Sequence, residues 1–438
     1  MVSFVANFPS FISSMQDLWD GLLSRPRVLS SLSFSLKGLK RPIKTLAKEN
    51  LSDIERRVAE AKDSLDSIQL SALTNPSENI FELEKSAKDQ WIFLRLPEEC
   101  FFRQRSRIKW LQLGDLNTAF FHRSTLVRNA LNAIKYLLRA DGTRSESLEE
   151  VHKIALDYFS EILCNEKGSF CPYLPDILRR IVRDVCSDFQ RSLLAAPISR
   201  ELIKATMFKL SLNRTPGPDG WTAEFFRATW LILGEEVTDA VLDFFANPFM
   251  PSALNATTLI LIPKRPGAEN IADFSLISCL NTIYKLVTKV ISVRLKKVLP
   301  SIILPNQTGF VENRLILENV LLASEVLNGY HKKGLSPRIT LKVDISKAFD
   351  SVRWDFIIEA LRAFHFPDLY IDWVRACICS PSFSISINGV TSGYFKGKTG
   401  LRQGDPLSPP LFVVVMNVLS IMLNRGAAMV FLITTRLC

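Results

Sequence analysis

The chain is short of the residue patterns that build a metal or disulfide scaffold. Its eight cysteines (Cys100, Cys164, Cys171, Cys186, Cys279, Cys377, Cys379 and Cys438) include no Cys-x2-Cys pair. Its four histidines, His122, His152, His331 and His365, include no His-x3-His pair. This argues against a structural zinc site or a cross-linked secreted module, and reduced thiols in an intracellular compartment, nucleus or cytoplasm, are expected. Residues 1–21 lack a basic stretch leading into an unbroken apolar core, so no secretory signal is indicated. Long apolar runs are missing too. The longest, Leu411–Leu423, is 13 residues broken only by Asn417 and Ser420. A bilayer span needs about 20, so a buried helix and no membrane partner are expected. Acids are absent between Asp273 and Glu312 and again after Asp405.

What is present describes a globular, basic protein. An apolar share of 47% and a charged share of 22% exclude wholesale disorder, and 438 residues suffice for two or three domains. The net charge of +10 is concentrated: residues 101–139 hold eight Lys or Arg against Asp115 alone. Arg103, Arg105, Arg107 and Lys109 are interleaved there with Phe101, Phe102, Trp110, Phe120 and Phe121. Cations neutralise phosphates and aromatics stack on bases, so the stretch suits a nucleic acid, the plain alternative being a solvated basic face.

Local patterns place the elements. Ser52 and Glu55 form a capping-box signature ahead of Ile54, Val58, Ala61, Leu65 and Ile68, an amphipathic helical stripe. Leu131–Leu138 reads as a short strand before a turn at Asp141-Gly142 and a helix over 148–163. Residues 167–199 read as a linker with one helix. Two prolines and two glycines within Arg214–Trp221 force a sharp turn. Thr257–Ile262 alternates as a strand delivering Lys264. Val287, Ile291, Leu295 and Val298 mark a helix decorated by Lys285, Lys289, Arg294, Lys296 and Lys297.

Two later segments carry the chemistry. In Ile339–Ile345 the odd positions are apolar and Asp344 lies on the opposite face, a carboxylate held by a strand. Nucleotidyl transfer needs such carboxylates, because they hold two Mg²⁺ ions roughly 3.5–4 Å apart. Alone, an aspartate at a strand end is more often a cap. Phe383, Ile385 and Ile387 then run into Asn388-Gly389, a hairpin turn, with Tyr394-Phe395 on the return strand. Gly400–Gly404 makes a tight loop, and Ser408-Pro409 starts a helix as N-cap and first residue. Gly404 admits close backbone approach to a ligand, and Gln403 offers an amide to a base or sugar edge.

With Trp110–His122, Pro216–Gly220, Ile262-Pro263-Lys264, Ile277-Ser278-Cys279 and Gln307–Asn319, these segments resemble the reverse transcriptase of non-LTR (LINE-type) retrotransposons, most closely plant members. The resemblance runs from about residue 98 onward. It implies an α+β right-hand polymerase with fingers and an incomplete palm, preceded by a mainly helical region. It divides the chain into a helical connector (1–97), a basic, aromatic RNA-binding extension and linker (98–195), and a reverse transcriptase domain without thumb (196–438). It makes Asp344 the metal-binding catalytic aspartate and Phe349 the steric gate beneath the sugar. Lys264, Gln403 and Gly404 would serve the incoming deoxynucleoside triphosphate, and Arg103, Arg105, Arg107, Lys109 and Trp110 the RNA template. Mg²⁺ and a DNA primer complete the implied partners.

Departures from the family pattern matter as well. Ser275-Leu276 stands where the family has Arg-Pro, Gly309 and Asn313 where Ala and Gly are usual, and Pro410 where an aromatic is. The further aspartate pair of the family would follow Leu423, yet residues 424–438 hold no acid. A truncated palm without catalytic activity is therefore expected. An RNA-binding remnant and an unfolded product of a decayed element stand as alternatives.

Overall fold

Helical spacing of apolar side chains dominates the chain. The computed structural model describes residues 9–21, 26–51, 53–106, 118–164, 172–212, 214–328, 342–379 and 381–429. Ser52, Arg107, Lys109 and Trp110 lie outside the described residues, as do the side chains of Arg103 and Arg105. The fold is α+β with a helical N-terminal region. Helices α1 (Pro9–Asp20) and α2 (Leu29–Leu51) precede a hairpin of α3 (Ile54–Thr74) and α4 (Glu78–Ser106). Of the stripe expected on α3, Ile54 and Leu65 are buried.

Helices α5 (Thr118–Asn132) and α6 (Leu148–Cys164) flank the segment expected to be a strand. Leu131 and Asn132 end α5 instead, and only Leu138 pairs, in a single bridge to Arg144. Loop groups take the remaining backbone partners: Leu137 N–H donates to Ser145 Oγ, and Leu138 N–H to Glu269 O. The region read as one helix holds two, α7 (Leu174–Ile181) and α8 (Asp188–Ala195). A reciprocal capping box between Ser187 and Gln190 starts the second.

Four more helices follow, α9 (Arg200–Lys209), α10 (Ala223–Ala228), α11 (Trp230–Ala246) and the single turn α12 (Ser252–Asn255). Strands β1 (Ala256–Pro263) and β2 (Phe274–Leu280) lead to α13 (Thr282–Ile302) and α14 (Ile316–Leu327). After α15 (Trp354–Ala363) and α16 (Asp368–Ile378), strands β3 (Ser382–Ile387) and β4 (Val390–Lys396) precede α17 (Ser408–Met429). The sheet order is β2-β1-β3-β4, with β1/β3 parallel and the other pairs antiparallel. The β3–β4 turn falls at Asn388-Gly389, both with positive φ, as the hairpin signature requires. Helix α6 covers one sheet face, packing Val151, Ala155, Phe159 and Leu163 against Leu259, Phe274, Phe383 and Ile385.

The larger core surrounds α13. Val287, Ile291, Leu295 and Val298 are all at most 1% exposed, and Phe11 and Leu36 of the N-terminal helices share that core with Phe225 and Val241. Arg294 does not decorate the surface. Its guanidinium donates to the carbonyls of Leu194, Ala196 and Pro197 and faces the Trp373 ring, so its charge is solvated by the protein. Helix α17 is long and apolar enough to cross a membrane. Its inner residues Leu411, Val414 and Val418 are nevertheless fully buried in the core. Buried Asn417 ties α17 to the end of α13, accepting from Leu304 N–H and donating to Ile302 O.

The sharp turn at Arg214–Trp221 holds a strained charge. Asp219 Oδ1 accepts from Trp221 N–H at 3.0 Å, but Oδ2 is shut from solvent and meets no donor among the described residues. Burial pushes this carboxyl from the usual 3.8 up to about 6, opposed by the nearby Lys40 and Lys285. A carboxyl whose folded pKa is raised favours the fold fully below 3.8, and this advantage is lost as pH rises through about 6. At pH 7 the penalty is about 3 kcal/mol. Asp219→Asn is therefore expected to unfold at higher urea than the parent at pH 7, by up to that amount, with the difference vanishing at pH 3.5. A gap independent of pH would contradict the burial argument.

Candidate functional site

Five segments meet at one open cleft of about 160 Å³, with α6 contributing Phe159. The end of β1 brings Lys264, the start of β2 brings Ser275, the turn after Asp344 brings Lys347, Phe349 and Asp350, and the 400–404 loop brings Gln403.

Backbone bonds fix the walls. Gly400 N–H donates to Val352 O at 2.8 Å and Leu401 N–H to Phe349 O at 2.7 Å, which clamps the loop on the turn. The Trp354 indole N–H donates to Gly400 O at 2.8 Å. Gly400 has φ 93°, and a Cβ there would lie 2.8 Å from Asp350 O, so no other residue fits this crossing. Ser278 N–H of β2 donates to Gln403 O at 2.9 Å, closing the third side.

The side chains make a chemically mixed surface. The Phe349 ring stacks on Phe412 of α17, centroids 4.5 Å apart, as an aromatic floor. Lys347 holds its ammonium 4.4 Å from the Tyr158 ring centre and 5.1 Å from that of Phe159. Lys264 Nζ lies exposed at the rim and donates to Ala272 O. Burial pushes the Asp350 carboxyl above its usual value, while Lys347 and Lys264 pull it down. Two cations, an aromatic floor and an exposed amide suit a ligand with an anionic end, a ring and a hydrogen-bonding edge.

Of the residues singled out from sequence, Lys264, Phe349 and Gln403 are thus brought together. Gly404 stands behind Gln403, where a Cβ would lie 3.0 Å from Ser278 O, so its close approach is to the protein's own strand. Asp344 is elsewhere: it is exposed and does not line the cleft. Nor do Lys342–Ile345 form a strand, and Val343, expected on the packed face, is 79% exposed. A strand needs a ladder partner, and among the described residues none runs beside this segment. The helix start differs in detail as well. Leu407 N–H donates to Asp405 Oδ1, whereas the Ser408 hydroxyl is buried without a partner among the described residues. Sequence reading passed over Asp350 and Lys347. Their spacing from Asp344 within one motif was the available signal.

Residues 262–434 match the reverse transcriptase (RNA-dependent DNA polymerase) family, and this chain carries a reverse transcriptase domain. It is a domain of the non-LTR retrotransposon kind. A Xenopus laevis protein of transposon TX1 is 28% identical over 73% of this chain and 24% of its own length. The Pol polyprotein of the type-2 retrotransposable element R2DM from Drosophila melanogaster is 28% identical over 65% of this chain and 25% of its own. A Pol polyprotein of a type-1 element R2 from Popillia japonica reaches 34% over 26% of this chain. The chain thus spans about a quarter of the length of the first two relatives. Reverse transcriptases use divalent metal ions. Among the described residues no group of three or more His, Cys, Asp or Glu is placed to hold one, so these residues do not by themselves fit a two-ion site.

Proposed function

We propose that the chain serves RNA-directed DNA synthesis, its cleft receiving a deoxynucleoside triphosphate opposite an RNA template and beside a DNA primer. One observation carries this reading: Lys264, Phe349, Asp350 and Gln403, all within the family's matched segment, converge on a single cleft. Lys264 and Lys347 face the phosphates. Phe349 underlies the sugar, where a 2′-hydroxyl would collide with its ring, and Gln403 meets the base or template edge. Residues 196–438 then supply fingers and part of a palm, 98–195 the grip on RNA, and 1–97 a helical connector. Asp344, the metal-binding aspartate that the resemblance implies, stands outside this cleft and takes no part in the proposed binding. No acid follows Asp405 in the sequence, and the step proposed for these residues is binding of the nucleotide and RNA rather than the transfer itself.

Equilibrium titration of the chain with dATP tests the reading. Lys264→Ala is expected to weaken binding about tenfold, the loss of one charge-assisted phosphate contact of about 1.5 kcal/mol or more. Equal affinity of parent and variant, or no binding by the parent, removes the assignment of the cleft.

A further inference from the structure

The loop bearing Gln403 is held from behind by a buried cation that does not line the cleft. Arg402 is 6% exposed. Its Nη1 donates to Asn255 Oδ1 at 2.8 Å, to Asn255 O at 3.2 Å and to Thr257 Oγ1 at 3.1 Å. Its Nη2 donates to Cys377 O at 2.9 Å. The guanidinium carbon sits 4.2 Å from the ring centre of Tyr284, whose hydroxyl donates to Asp405 Oδ2 at 2.9 Å. Asp405 is 3% exposed and turns the chain into α17 through Leu407 N–H. Gln403 and Gly404, both exposed, are therefore suspended between two buried charges joined through one tyrosine.

Such burial is costly unless every donor is met, and here acceptors from α12, β1 and α16 meet the guanidinium. The bonds are directional, and they bear on the residue next to Gln403. They therefore fix the backbone from which the Gln403 side chain departs. A lysine would keep the charge but could not span Asn255, Thr257 and Cys377 at once.

We propose that Arg402 is a positioning residue for the cleft: its buried network sets where Gln403 stands against the ligand. The proposal rests on the reading of the cleft as a nucleotide site, since Gln403 is the group through which Arg402 acts.

The test uses the full chain labelled with 5-fluorotryptophan. Trp354 bonds the Gly400 carbonyl, so its ¹⁹F resonance, assigned with Trp354→Phe, reports the loop directly. Arg402→Lys is expected to move that resonance and to weaken dATP binding about tenfold, as Gln403→Ala does. The double variant is expected to bind no more weakly than either single one, because the two act through one group. Thr257→Val, which removes one acceptor and little else, is expected to act in the same direction with smaller size, and it decides the matter if Arg402→Lys does not fold. An unmoved Trp354 resonance with parental affinity overturns the proposal, and so do additive losses in the double variant. If the parent itself fails to bind dATP, the proposed function falls, and the Trp354 resonance alone then decides whether Arg402 positions the loop.

Discussion

Arginine at position 275 is expected to tighten deoxynucleoside triphosphate binding by tenfold or more. Ser275 lines the cleft at the start of β2, opposite Ile262 of β1, which precedes Lys264 by two residues. It occupies the position where the resemblance leads one to expect an arginine directed at the triphosphate. A charge-assisted, forked contact to phosphate contributes about 1.5–3 kcal/mol, which corresponds to roughly 10- to 150-fold in affinity. The side chain would rise from a strand paired through seven residue positions, so little ordering of the backbone is needed to present it. Calorimetric titration with dATP checks this, with Ser275→Gln as a control of similar reach and no charge. The gain should shrink as salt is raised, since an arginine at an open cleft is screened. An affinity unchanged by Ser275→Arg, or a gain matched by Ser275→Gln, would show that phosphates do not lie at this end of the cleft.

How much of this was legible in the sequence divides along the range of the interactions. β1, the β3–β4 hairpin and the α13 stripe follow from patterns within a dozen residues, and they stand where those patterns put them. Asn313, where the family has glycine, adopts φ 63°, a conformation that asparagine tolerates better than most residues. The misreadings involve distant partners. Periodicity groups Arg294 with the lysines that decorate α13, because it cannot see three carbonyls at and just beyond the end of α8 and a tryptophan face from α16. The segment around Asp344 alternates like a strand, yet alternation specifies only a face, and a strand exists only where another runs beside it. Lys264, Phe349 and Gln403 could be named individually, but their meeting depends on the β1–β3 pairing and on the clamp of Gly400 and Leu401 over the turn. Arg402 gave no signal at all, because a buried arginine and a surface one are the same letter.

Neutralising Arg103, Arg105, Arg107 and Lys109 together should cost about two orders of magnitude in affinity for single-stranded RNA near physiological salt. Each phosphate contact releases counterions, and for single strands the logarithm of affinity falls with the logarithm of salt by about 0.7 per contact. If all four cations touch phosphates, the quadruple glutamine variant should lose about 3 from that slope, and the affinity difference should close as salt approaches molar. Fluorescence anisotropy with a labelled oligoribonucleotide across a sodium chloride series reads both quantities. Phe101, Phe102 and Trp110 lie among these cations in the sequence, so a residual salt-insensitive affinity is expected to persist through stacking and to fall separately on Trp110→Ala. Lys264→Ala supplies the counter-test, since one cleft cation lost should lower dATP affinity and leave the RNA salt slope nearly as it was. If the quadruple variant keeps the parental slope, RNA is held elsewhere on this chain. The basic cluster would then be only a solvated face, while the cleft and its arginine-held loop would stand or fall on their own measurements.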